Sequence, residues 1–270
     1  MPINLAVSGA AGKMGRRIIA LVDQDEQVRC VAALEREGAP EIGKDAGEIA
    51  GIDSLSIAVS DRAPSNFDVL IDFSTPAATM HQLAQCTRMS RPIVIGTTGL
   101  DEEAMRGIGA AGESIAVLQA PNMSVGVNVL LRTVRRLAEV LDTSYDVEIF
   151  EAHHRFKVDA PSGTALALRD AVIEGRRCAG HDDSPVVYGR HGETGPRPQG
   201  EIAVHTLRTG DTVGEHTVSF GGLGESINVG HVARSRDVFA VGAIRAAKWI
   251  VGKPPGLYDM QDVLFGDEAP

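Results

Sequence analysis

Short apolar runs alternate with amphipathic stretches through the first part of the chain. Ile3 to Ser8 (INLAVS) is an almost unbroken apolar run, the pattern of a strand buried on both faces. Glycines follow, and then a helical spacing of apolar residues through Ile18, Ile19, Leu21 and Val22. Val28 to Leu34 and Val69 to Phe73 (VLIDF) predict further strands, the latter stopped by Ser74-Thr75-Pro76, a helix-start signal. Pro92 to Ile95 and Ile115 to Leu118 continue the series. Strands separated by helices predict a parallel sheet covered on both faces.

The pattern changes after a predicted helix over 127–140. A strand, Asp146 to Glu151, runs into a polar, histidine-rich loop. Glu174 to Gly200, rich in Gly, Pro and Arg, predicts a long exposed loop. From Ile202 the runs IAVHTLR, GEHTVSF and ESINVGHV are separated only by short glycine turns, which predicts an antiparallel or mixed sheet. A last helix, about Asp237 to Val251, has the composition of the first part, so the C-terminus is expected to return to it. The expected division is 1–124 with 236–270 in one domain and 125–235 in the other.

Composition narrows the class. With 270 residues, 43% hydrophobic and 23% charged, the chain can bury a core without disulfides or a metal staple. Its three cysteines, Cys30, Cys86 and Cys178, are scattered and form no CxxC pair, which argues for a reducing, cytoplasmic setting. No run approaches the roughly 20 apolar residues of a membrane helix. A formal charge of −10 and only 4% aromatics argue against nucleic acid as a partner.

Gly9-Ala10-Ala11-Gly12-Lys13-Met14-Gly15 follows the first buried strand. Glycines there let the backbone turn tightly and approach a pyrophosphate, which the next helix N-terminus attracts. A strand-to-helix turn that merely needs glycine would read the same. The second strand ends in Glu35-Arg36, where an acidic residue takes the adenosine ribose. Glu35 favours the free 2′-hydroxyl of NAD, and Arg36 can stack on adenine or pair with the 2′-phosphate of NADP. Gly96-Thr97-Thr98-Gly99 and Ala120-Pro121-Asn122-Met123 follow later strands, where sheet crevices bind ligands.

The densest chemistry lies in Glu151-Ala152-His153-His154-Arg155-Phe156-Lys157-Val158-Asp159-Ala160-Pro161-Ser162-Gly163-Thr164-Ala165. Basic groups concentrate there in an otherwise acidic protein, just before a predicted helix start near Ser162. Helix amides, a threonine hydroxyl and nearby cations suit the binding of carboxylates. His153 and Lys157 can supply protons or stabilise developing negative charge. A solvated basic loop with Ser162 as a helix cap is the plainer alternative. A metal site is not expected, because adjacent histidines on a strand point to opposite faces and no HExxH or Cys/His set accompanies them. No GxSxG elbow supports a hydrolase.

This segment strongly resembles the catalytic segment of the 4-hydroxy-tetrahydrodipicolinate reductase (dihydrodipicolinate reductase) family of bacterial diaminopimelate and lysine biosynthesis. GAAGKMG, ALEREG, LIDFSTP, VIGTTGL, APNMSVGVN, VGEHTV and GLYDMQDVL occur in the family's order over nearly the whole chain. The resemblance implies an α/β chain: an N-terminal Rossmann-like dinucleotide-binding domain, then an α+β substrate and oligomerisation domain with a mixed or antiparallel sheet. It implies an NAD(P)H-dependent oxidoreductase with NADH and/or NADPH as cofactor, a small dicarboxylate substrate and a homotetramer. Gly9, Ala10, Ala11, Gly12, Lys13 and Met14 would hold the pyrophosphate, and Glu35 and Arg36 the adenosine ribose. Gly96, Thr97 and Thr98 would lie by the nicotinamide ribose, with Ala120, Pro121, Asn122 and Met123 beside the nicotinamide. His153 and Lys157 match the proton donors; His154, Gly163 and Thr164 match substrate-binding positions. Two departures stand out. Thr75 replaces a basic residue common in the family, which tilts the expected preference towards NADH. Val232 and Arg234 depart from the family's late HxASSR segment, while Arg236 keeps its arginine. A dehydrogenase of acyclic amino acids and a dinucleotide-sensing regulator are the rival readings.

Overall fold

Each of these apolar runs is a strand in the computed structural model, which describes residues 1–181 and 183–266. The chain divides into two units, Met1–Val125 with the chain from Arg236 onward, and Gly126–Ser235. The last four positions of the expected first domain, 267–270, lie outside the described residues.

The first unit is built on β1 (Ile3–Ser8), β2 (Val28–Leu34), β3 (Val59–Ser60), β4 (Val69–Asp72), β5 (Ile93–Ile95), β6 (Ala116–Gln119) and β12 (Gly256–Tyr258). They form one seven-stranded sheet in the order β12-β6-β5-β4-β1-β2-β3, every pair parallel. Its helices are α1 (Lys13–Val22), α2 (Ala46–Ala50), α3 (Pro76–Met89), α4 (Glu102–Gly112), α7 (Asp237–Ile250) and α8 (Met260–Phe265). On one face, Ile18, Ile19 and Val22 of α1 and Ala243, Ala247 and Ile250 of α7 pack on Leu5, Val7 and Ile71. On the other, Leu83 and Cys86 of α3 and Ile108 of α4 pack on Leu70, Ile93 and Ile95. Burial on both faces explains why these strands read as continuous apolar runs, each large side chain contributing about 1.5–3 kcal/mol. The chain goes from β1 to β2 on one side, and β4 then starts the other side, so the strand order reverses at β1. A crevice opens at the carboxyl ends of the strands at such a reversal. This is the Rossmann-like arrangement.

The second unit holds α5 (Val125–Leu141), β7 (Asp146–His153), α6 (Gly163–Cys178), β8 (Val186–Tyr188), β9 (Ile202–Arg208), β10 (Gly214–Gly222) and β11 (Glu225–Ala233). Its sheet runs β11-β10-β7-β9-β8, antiparallel from β11 to β7 and parallel from β7 to β8. It is mixed. Leu130 and Val134 of α5 and Leu168 and Val172 of α6 cover one face, over Val147, Ile149, Val218 and Phe220. Phe150, Leu207 and Val232 point to the opposite face and stay 42%, 50% and 57% exposed.

Two expectations need correction. The stretch from Glu174 to Gly200 is not all loop: α6 continues to Cys178, and β8 adds a parallel edge strand. Within it, Arg190 and Arg197 pair with Glu148 and Glu201. The strand expected to end at Glu151 runs on to His153, because β9 and β10 continue to pair with it there.

Candidate active site

The glycine loop sits at the carboxyl end of β1, at the reversal of strand order. Gly9 has φ +74°, and a Cβ there would fall 2.3 Å from the Phe73 carbonyl oxygen; a Cβ at Gly15 would fall 2.1 Å from the Gly9 oxygen. Packing alone therefore demands both glycines. Gly12 is less constrained, with its Cβ position 3.1 Å from the Gly9 oxygen. It is also the N-cap of α1 and caps no amide with a side chain, and no acidic residue sits in that helix's first turn. Such a helix start suits a phosphate. Glu35 is close at hand: its carboxylate accepts the Ala11 amide at 2.9 Å. The cleft beside it, about 790 Å³, is lined by Ser8, Gly9, Gly12, Glu35, Arg36 and Glu37, with Asp61, Arg62, Phe73 and Thr75 further along. That volume lies within the roughly 300–1,000 Å³ of small-molecule sites, and the residues present fit a dinucleotide's adenosine and phosphates.

Sequence reasoning passed over much of this wall. His81, Gln82 and Gln85 of α3 also line the cleft. Their spacing puts them on one helix face, a signal that was available.

The two later loops lie along the same sheet edge, after β5 and β6, outside the lining of that cleft. Asp72, fully buried at the end of β4, holds the first of them. It accepts from the hydroxyls of Ser74 (2.7 Å), Thr79 (2.6 Å) and Thr97 (2.8 Å). Thr97 thus turns its side chain inward and offers a ligand only backbone, while Thr98 is exposed. Ala10, Ala120 and Met123 are likewise buried in the core. Lys13 and Pro121 face solvent.

In the second unit, β7 alternates Val147, Ile149, Glu151 and His153 towards the helix-covered face. The apolar row thus ends in two ionisable groups. Glu151 is 1% exposed. Its carboxylate takes His153 Nδ1 at 2.5 Å, a two-pronged Arg208 guanidinium at 3.0 Å to each oxygen, and the Ser162 amide at 3.1 Å. Burial works to raise its pKa, but Arg208, His153 and Ser162 outweigh it, so the carboxyl is held below the usual range. Burial pushes His153 down, and Glu151 offsets this only in part.

Ser162 caps α6, accepting from the Ala165 amide at 3.2 Å, and its hydroxyl lies 3.2 Å from His216 Nε2. His216, on β10, meets the His153 ring edge-on at 5.1 Å. Burial and the neighbouring His153 hold it down to about 4, so it is neutral at physiological pH. Gly163 begins α6 exposed, and a Cβ there would meet nothing within 4 Å. Packing therefore does not ask for a glycine there. Lys157 pairs with both Asp159 oxygens at 2.8 and 2.9 Å, and His154 leans on Phe156 with ring centroids 6.2 Å apart. His153, His154, Lys157, Gly163 and Thr164 therefore all lie on one short stretch from the end of β7 to the first turn of α6. Arg208 and His216 are functional neighbours that sequence reasoning missed, and only the strand pairing reveals them.

Among the described residues no group of three His, Cys, Asp or Glu side chains is placed to hold a metal ion, and no helix is long and apolar enough to cross a membrane. The family model for the dihydrodipicolinate reductase N-terminus matches residues 3–123, and that for the C-terminus matches 126–264. A 4-hydroxy-tetrahydrodipicolinate reductase of Thiobacillus denitrificans is 48% identical over 268 residues, 98% of this chain and 99% of the relative. One of Halorhodospira halophila is 46% identical with the same coverage. Among solved structures, a dipicolinate-bound dihydrodipicolinate reductase from a Paenisporosarcina species superposes with a TM-score of 0.77 at 25% identity, over 97% of this chain and 99% of that one.

Proposed function

This chain belongs to the dihydrodipicolinate reductase family, and from that membership we propose that it reduces 4-hydroxy-tetrahydrodipicolinate with a pyridine dinucleotide, on the route to diaminopimelate and lysine. It is an oxidoreductase. Water leaves the hydroxylated cyclic imine, and a hydride at C4 and a proton then give tetrahydrodipicolinate. The dinucleotide, when bound, supplies the hydride.

The protein binds, orients and moves protons. In the first unit, the loop from Gly9 to Met14 takes the pyrophosphate through backbone amides, and Glu35 and Arg36 take the adenosine ribose. Gly96, Thr97 and Thr98 flank the nicotinamide ribose, and Ala120 to Met123 the nicotinamide. In the second unit, His154 and the α6 start at Gly163 and Thr164 hold the substrate carboxylates. His153 and Lys157 donate protons and stabilise the charge that develops as hydride arrives. The observation that carries this reading is the gathering of imidazole, ammonium and a helix N-terminus on one stretch of an acidic protein.

The cofactor is NADH and/or NADPH, with NADH favoured. Thr75 offers no positive charge, and a 2′-phosphate in the cleft would face Glu35, Glu37 and Asp61 as well as Arg36 and Arg62. The exposed face of the five-stranded sheet, with Phe150, Leu207 and Val232, suits assembly into a homotetramer. The test is direct: purified protein consumes NADH or NADPH only when 4-hydroxy-tetrahydrodipicolinate is supplied. Failure with both cofactors at every substrate concentration would end the reading.

A further inference from the structure

The Glu151 carboxylate is a buried charge at the end of an apolar row, where desolvation makes it costly. Its bonds account for it. An ionised carboxylate has roughly four acceptor sites and no donor. Oε1 accepts from Arg208 and the Ser162 amide; Oε2 accepts from Arg208 and His153. All four sites are used. Because the carboxylate only accepts, His153 Nδ1 must carry a hydrogen, and Nε2 is left as the working atom.

The surroundings keep Nε2 clear. Gly214 lies beside it, and a Cβ there would sit 3.1 Å from Nε2. His216 presents a neutral edge at that site and so does not repel an imidazolium. Arg208 reaches further: it donates to the carbonyls of Asp159 and Leu207, each at 2.6 Å. One guanidinium therefore ties the loop that carries Lys157 to the carboxylate that holds His153.

Resting on the reading of His153 as a proton donor, we infer that Glu151, clamped by Arg208, is a positioning residue that fixes the His153 tautomer and presents Nε2 to the substrate. Its charge also stabilises the imidazolium. The charged and titratable groups around His153 are Glu151 on its own strand, Lys157 on the following loop, Arg208 on β9 and His216 on β10, with His231 of β11 paired to His216. Of these only Glu151 favours the proton.

The experiment is a pH profile of kcat for the full-length enzyme with 4-hydroxy-tetrahydrodipicolinate and NADH, in Glu151→Gln, Arg208→Lys, His153→Gln and the Glu151→Gln/His153→Gln double variant. Glu151→Gln should lower kcat by about 10–100-fold, with substrate KM within about 3-fold and NADH affinity unchanged. Turnover needs the protonated imidazole, so it falls as pH rises through the His153 pKa. Loss of the Glu151 charge lowers that pKa, and the falling limb should move to lower pH by about one unit or more. In the His153→Gln background the second substitution should cost less than about 2-fold. Arg208→Lys keeps the charge but loses the two-pronged contact, so it should show a smaller loss and a limb shift of the same sign.

A Glu151→Gln enzyme with an unmoved limb, or losses that multiply in the double variant, overturns the inference while leaving His153 as donor. Full turnover by His153→Gln removes the donor itself, and the inference with it. Should Glu151→Gln fail to fold, the limb of Arg208→Lys decides in the same way, an unmoved limb overturning the inference.

Discussion

The two sheets end differently at their functional edges. In the seven-stranded sheet the strands send apolar side chains into both helix layers, and the turn at the reversal of strand order is built from backbone, at Gly9, Gly12 and Gly15. In the five-stranded sheet, the last positions of β7 and β9 and the first positions of the antiparallel β10 carry Glu151, His153, Arg208 and His216. A turn made of amides has nothing to titrate and depends on the absence of side chains. A site made of charged side chains depends on each partner's protonation. The first should respond to steric change, and the second to charge and pH.

The sharpest separation is expected from Lys157→Ala. Turnover should drop by about 10²–10⁴-fold, because a proton-donating group acts in the transition state. Affinity for the dinucleotide, measured by titration, should hold. A parallel loss of NADH binding would place Lys157 in the wrong site. The converse is Gly15→Ala, whose Cβ would meet the Gly9 carbonyl oxygen at 2.1 Å. Dinucleotide affinity should fall at least about 10-fold, with destabilisation of about 1–3 kcal/mol, while pyridine-2,6-dicarboxylate, a substrate mimic, should bind the second unit unchanged. Equal loss of both ligands would blur the contrast.

A stability profile tests the electrostatic half. The unfolded imidazole of His216 takes a proton near pH 6.5, but the folded one does so only at about 4. Its contribution is therefore complete above the unfolded value and is lost as pH falls across that window, by up to about 3 kcal/mol. His153, also held down, acts in the same direction. Urea unfolding of His216→Gln at about pH 7 and about pH 4.5 should show a smaller difference than the parent. An unchanged difference would mean that His216 is not the source. The smallest effect is expected at Glu35→Ala, which should weaken NADH by about 1 kcal/mol and NADPH by less. Equal weakening would assign Glu35 to holding the Ala11 amide and nothing more.

Much of this contrast is legible in the residue order. The strands of the first unit announce themselves because burial on both faces leaves no room for polar alternation. GAAGKMG is readable because a backbone-built site writes its requirement as missing side chains in one place. The second site is only half written locally. Residues 153–164 are contiguous, and their basic character stands out. Arg208 and His216 arrive through pairings of β9 and β10 with β7, which no local pattern encodes. Glu151 was visible two positions before His153, on the same strand face, yet an isolated acidic residue ending an apolar run reads as a strand terminus. The short elements were lost for a different reason. β12 is three residues long with Leu257 exposed, and α2 is a single turn held by Asp45, whose carboxylate accepts from Gly47, Glu48, Leu55 and Ile57. Neither has the length to show a period.

Asp72 gives the first unit a mechanical property. One carboxylate fastens the turn after β4, the first helical turn of α3 and the turn after β5. The rim therefore behaves as a single rigid bracket instead of separate fingers, and a disturbance at Thr79, buried in the first turn of α3, will be transmitted to Gly96 and Thr98 without touching either.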